Sequence, residues 1–71
     1  MKEFLKCRVR IWTKDKSKIE GDFLATDENG NVLLDFAVEK YKNSPERHLG
    51  LIVFRGAKIL RIECLKTPEQ K

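Results

Sequence analysis

The stretch LGLIVFRGAKI, residues 49–59, constrains the fold more than any other part of the chain. An apolar run enters Arg55-Gly56, a dipeptide suited to a tight bend, and apolar character resumes at Ile59-Leu60. A run that is apolar on both alternating faces reads as a strand covered from two sides. With 71 residues there is material for one small core and no second domain, so a partner is expected to supply the second cover.

The rest of the chain divides into short strands and polar turns. In residues 7–12, Cys7, Val9 and Ile11 share one face and Arg8, Arg10 and Trp12 the other, the period of a half-buried strand. Lys14-Asp15-Lys16-Ser17 turns the chain into a second strand, residues 18–26, with Ile19, Gly21, Phe23 and Ala25 on one side. Gly21 removes a side chain where a strongly bent sheet needs room. Asp27-Glu28-Asn29-Gly30 is a turn by composition, because Asp and Asn bond nearby backbone and Gly accepts positive φ. In the third strand Val32, Leu34, Phe36 and Val38 are expected inward, and Leu33, Asp35, Ala37 and Glu39 outward. Asn43-Ser44-Pro45 marks a loop, after which residues 48–54 and 59–65 form the last two strands. Residues 3–6 have room for a single helical turn. Residues 67–71 read as a frayed tail, leaving residues 1–66 as the domain.

Composition narrows the function classes. Lys and Arg number 15 against 11 Asp and Glu, a net charge of +4 that suits an anionic partner, either nucleic acid or an acidic protein. Two cysteines, Cys7 and Cys64, are too few for a disulfide framework, and neither stands at metal-ligand spacing from the sole histidine, His48. Their expected role is that of small apolar side chains. No stretch reaches the roughly 18 to 20 apolar residues of a membrane span, and the start MKEFLKC lacks the apolar run of a signal peptide. The expectation is a soluble protein of a reducing intracellular compartment, cytoplasmic with the nucleus as the alternative. Without a nucleophile–base pair or a Gly-rich phosphate loop, no enzymatic activity, cofactor or metal is expected. Trp12 reads either as an anchor for a partner or as a ring shielded by neighbouring lysine stems.

Five short strands joined by tight turns, with a bend-permitting glycine, describe a small, partly open barrel. Open edges invite strand addition by another chain. Leu49, Leu51 and Val53 on the fourth strand, with Ile59 and Ile62 on the fifth, are therefore the expected subunit interface.

Taken in order, Gly21, Phe23, Asp27, Asn31, Val32 and Leu34, then Leu49-Gly50, Arg55-Gly56, Ile59 and Ile62, resemble the two motifs of the Sm-like (LSm) domain family. The resemblance runs over residues 8–62. It implies an all-β fold, a small five-stranded, strongly bent antiparallel Sm-like barrel, here with a vestigial N-terminal helix. It also implies assembly with protein subunits through the fourth and fifth strands. In RNA-binding members the two motifs meet at an inner rim and hold a uracil. Carried over, this makes Asp27, Asn31, Arg55 and Gly56 the RNA-binding set, with Asn31 reading the base edge, Arg55 covering or bonding it and Asp27 orienting Asn31.

The chain departs from that pattern at the tip of the turn. Asn29 stands where a stacking side chain is expected, and Gly30 replaces the usual Met. Without the family, Asn29-Gly30 is a two-residue turn, Asp27 and Asn31 a turn-bracing pair, and Arg55 a planar fork suited to a base or a carboxylate. The altered turn, the short helix, Glu39-Lys40-Tyr41 and Leu49-Gly50-Leu51 are similar to another branch of the family. That branch is the Sm-like auxiliary subunit of the NatC N-terminal acetyltransferase, a non-catalytic member of a larger complex. This reading leads. The alternative, favoured by Arg55-Gly56 and the basic charge, is a ring subunit that binds single-stranded, uridine-rich RNA in RNA processing or splicing.

Overall fold

The structure, a computed structural model, describes residues 2–67; residues 68–71, most of the expected tail, lie outside the described residues. Five strands follow in sequence: β1 (Arg8–Thr13), β2 (Lys18–Thr26), β3 (Val32–Lys40), β4 (Arg47–Phe54) and β5 (Ile59–Lys66). They form one antiparallel sheet in the order β4-β3-β2-β1-β5. The expected N-terminal helix is a 3-10 turn over Lys2–Phe4, and a second 3-10 turn, Gly56–Lys58, joins β4 to β5.

Alternation in the first two strands becomes the core. Val9 and Ile11 of β1, Ile19 and Phe23 of β2, and Val32 and Leu34 of β3 are buried together with Cys7, Ala37 and Phe54. Each large apolar side chain so buried contributes about 1.5 to 3 kcal/mol. Two polar side chains join them at the β1–β2 turn, where Thr13 and Ser17 satisfy each other through their hydroxyls at 2.7 Å. At Gly21 the β3 backbone comes close: a Cβ there would lie 3.1 Å from the Asp35 carbonyl oxygen and 3.2 Å from Leu34 Cβ. That approach is what lets the sheet bend between β2 and β3.

Strict alternation fails at the bend. Phe36, expected inward, points out and is 68% exposed, while Ala37 takes the inward place. The cause is a register shift between Leu34 and Ala37, at which Phe36 adopts a φ of 51°. An aromatic residue rarely occupies this left-handed region. Here the Asp35 carboxylate accepts the Phe36 N–H at 2.8 Å, and Arg8 Nη1 donates to the Phe36 carbonyl at 3.1 Å and to Asp22 at 3.2 Å. A second shift, between Phe23 and Ala25, exposes Ala25, which alternation had placed inward.

Trp12 is shielded, but by arginines rather than lysines. The Arg61 guanidinium lies 4.1 Å from the ring centroid and that of Arg10 5.7 Å, because Trp12 faces Arg61 across the β1–β5 pair. No disulfide joins the buried Cys7 to the exposed Cys64, and His48 is exposed on β4 opposite Val38.

Candidate functional site

The turn between β2 and β3 is organised by one carboxylate. Asp27 Oδ1 accepts the backbone N–H groups of Asn29 at 2.8 Å and Asn31 at 2.9 Å, and Oδ2 accepts from Asn31 Nδ2 at 2.9 Å. The Asn31 amide and backbone bonds, with smaller help from the Asn29 and Gly30 backbone, hold the Asp27 carboxyl below its ordinary pKa. The turn is thus braced around an anion that local donors stabilise.

Asn31 carries the brace to the second motif. Its Oδ1 accepts the Gly56 N–H at 3.1 Å, across 25 residues of sequence. Gly56 can be nothing larger, since a Cβ there would lie 2.5 Å from the Gly30 carbonyl oxygen and 2.7 Å from its carbon. Asp27, Asn31 and Gly56, three of the four residues of the expected RNA-binding set, lie together in one hydrogen-bonded chain. Arg55 precedes Gly56 and is exposed, and among the described residues its guanidinium meets no carboxylate. Beside the turn lies an open hollow of about 240 Å³, lined by Ala25, Leu33 and Val53 and bounded by Asp27 and Asn31.

The expected interface residues lie on the two strands that end the sheet. On β4, Leu51 is 62% and Val53 66% exposed, and Leu49 is half-buried; on β5, Ile59 and Ile62 are half-buried. Among the described residues β4 pairs only with β3 and β5 only with β1. Leu60, within the same β5 segment, is 67% exposed where a register shift between Trp12 and Thr13 makes β5 bulge.

A domain-family model, LSM domain, matches residues 1–64. The chain belongs to the LSM domain family. Solved structures agree with the fold. A heptameric archaeal Sm protein superposes with a TM-score of 0.80 at 25% identity, over 90% of this chain and 93% of that one. The P. aerophilum SmAP1 heptamer gives 0.81 at 25% identity, over 90% of this chain and 85% of that one. A chain of the NatC complex bound to CoA gives 0.78 at 20% identity, over 96% of this chain and 83% of its own. No curated protein matches the chain. The five antiparallel strands with almost no helix are therefore an all-β Sm-like fold, of a family whose domains typically act without catalysis.

Proposed function

We propose that this LSM-domain chain is a non-catalytic subunit of a larger protein complex, and specifically the small auxiliary subunit of a NatC N-terminal acetyltransferase. The observation that carries the reading is the state of the inner turn. Recognition of a single-stranded base needs a planar group to stack on and a donor–acceptor edge to bond. The Asn31 amide is engaged on both sides, by Asp27 and by Gly56, and the tip residues Asn29 and Gly30 offer no ring. A turn so engaged supports a docking frame better than a base pocket. Exposed Leu51, Val53 and Leu60 supply the apolar edges that a protein partner would cover.

Affinity capture of the full chain from its own cells is expected to recover a large scaffold protein and a catalytic acetyltransferase. Deletion is expected to lower acetylation of the complex's substrates. Recovery of Sm-like chains alone rejects this reading. Leu51→Asp and Val53→Asp should abolish capture, because an aspartate buried without a partner costs several kcal/mol. The same changes should move the stability of the isolated chain by less than about 0.5 kcal/mol, since both sites are open to water there.

Two observations favour a second reading. Arg55 is exposed and among the described residues meets no carboxylate, and the relatives at 25% identity are heptameric Sm proteins. A ring subunit would bind oligouridylate with an affinity that falls steeply with salt. Absence of binding at low salt in the assembled state rejects it.

A further inference from the structure

The loop between β3 and β4 carries a hydroxyl that neither the fold nor the docking role uses. Thr13 and Ser17 are buried and bonded to each other, Thr26 donates to the Asn31 carbonyl at 3.0 Å, and Thr67 is half-buried. Ser44 is the one exposed serine or threonine among the described residues, and its hydroxyl meets no partner there. Its backbone N–H donates to the Tyr41 carbonyl at 3.2 Å, closing a turn in which Asn43 takes a φ of 65°. Pro45 and Glu46 follow outside any strand, and the exposed Arg47 opens β4.

Ser44-Pro45-Glu46-Arg47 has two features that a modifying enzyme can read together. Pro45 biases Ser44 toward extended backbone and brings no N–H that a substrate groove would have to satisfy. Arg47, three places after Ser44, presents a planar cationic fork suited to an acidic surface. Proline-directed protein kinases that also require a basic residue at that distance accept this combination. Thr67-Pro68 lacks the second feature, with Gln70 in the place corresponding to Arg47.

The surroundings of Ser44 suit a phosphate. Tyr41, at the other end of the turn, lines a cleft of about 350 Å³ with Lys16, Lys18, Lys40 and Lys42. Lys18 and Lys40 face each other across the β2–β3 pair, and like charges directly opposite are destabilising. Glu20 and Glu46 both engage Lys40, at 3.3 Å and 3.2 Å, but among the described residues Lys16, Lys18 and Lys42 meet no carboxylate. The two ends of a four-residue turn lie within about 7 Å, so Ser44 stands at the rim of this cleft.

We infer that Ser44 is a phosphorylation site for a proline-directed protein kinase, and that the neighbouring lysines of the cleft hold the phosphate once it is attached. In the transfer, Ser44 Oγ bonds to the γ-phosphorus of ATP and gives its proton to the kinase's catalytic aspartate. The bond from that phosphorus to the bridging oxygen breaks, and ADP leaves. The product carries a charge of about −1.5 to −2 and three acceptor oxygens, enough to compensate lysines that the unmodified chain leaves open. The inference does not depend on which assembly the chain joins.

The test treats the full, folded chain with a purified cyclin-dependent serine/threonine kinase, magnesium and ATP, and follows intact mass and peptide maps. One phosphoryl group should be gained, at Ser44, and Ser44→Ala should gain none. Pro45→Ala and Arg47→Ala should each lower the initial rate at least about tenfold, while Arg47→Lys keeps most of it. Melting of each variant before treatment identifies any that fail to fold, and Arg47→Lys against Pro45→Ala then supplies the comparison. Phosphorus NMR should show the phosphoserine losing its second proton at least about half a pH unit below the usual value of about 6, and Lys16→Ala with Lys42→Ala should bring it back. The phosphorylated chain should melt about 2 °C above the unmodified one. Chain recovered from dividing cells with phosphatases inhibited should contain the Ser44 phosphopeptide. No phosphate on the folded chain, phosphate on Thr67 instead, or absence of that phosphopeptide from the cells overturns the modification site. A proton loss unmoved by the lysine replacements, or a lower melting midpoint, overturns the role of the lysines.

Discussion

The two ends of the β2–β3 ribbon are built in opposite ways. At one end, Asp27, Asn31 and Gly56 direct their polar groups at one another, and Gly30 and Gly56 are in near backbone contact. At the other, Lys18 faces Lys40, and among the described residues Lys16 and Lys42 meet no carboxylate. The first end holds geometry by satisfying its groups internally, and the second leaves them available to solvent or ligand. Within one small domain, polar groups can therefore satisfy one another or be left open to solvent, and their partners decide which.

The largest effect should come from the braced end. Gly56→Ala would push a methyl group into the Gly30 backbone, which has no side-chain freedom to yield, and is expected to cost about 2 to 3 kcal/mol in urea denaturation. A loss below 0.5 kcal/mol would mean that the two motifs are not locked together. Asn31→Ala should cost about 1 to 2 kcal/mol, because the half-buried Gly56 N–H loses its acceptor.

Acid should act on both ends through their carboxylates. Bonds from Asn31 lower the pKa of Asp27, and bonds from Thr13 and Ser17 lower that of Asp15. At Glu20 burial raises the pKa, yet bonds from Arg10 and Lys40 outweigh it and the net direction is down. Depressed folded-state values mean that the unfolded chain takes up protons first as pH falls. The stabilisation is complete above the ordinary values of 3.8 and 4.5 and is lost as pH drops through the lower folded ones. Denaturation midpoints should be flat from pH 7 to about 5 and decline below about 4, and Asp27→Asn should remove part of that decline. A midpoint that fell between pH 7 and 5 would contradict this assignment.

The smallest effect should come from the open end, with the opposite sign. Lys18→Glu replaces a like-charge pair by an attractive one and should raise the melting midpoint by about 2 °C. A fall would show that the lysines there stabilise the fold, and would erase the contrast between the ends.

Much of this was legible in the sequence. Alternation and apolar runs located all five strands within one or two residues, and the Asp-Asn-Gly turn and Arg-Gly bend lay where composition put them. What patterning could not convey was the slip at Phe36. Alternation assumes that every residue is extended, and a single left-handed residue, held by Asp35 next to it and by Arg8 from β1, reverses the faces that follow. The arginine cover of Trp12 was hidden for a related reason. It depends on the β1–β5 register, which no local signal specifies. Asn31 and Gly56 each stand out in the sequence as motif residues, but the bond between them arises only when two turns 25 residues apart fold onto one another.

The arginine cover also gives the molecule an optical handle. Trp12 is the only tryptophan in the chain, and one of its two guanidinium neighbours belongs to a strand at the border of the sheet. Its emission therefore reports on whether β5 lies against β1. The chain carries its own label one strand in from the border where another subunit would attach.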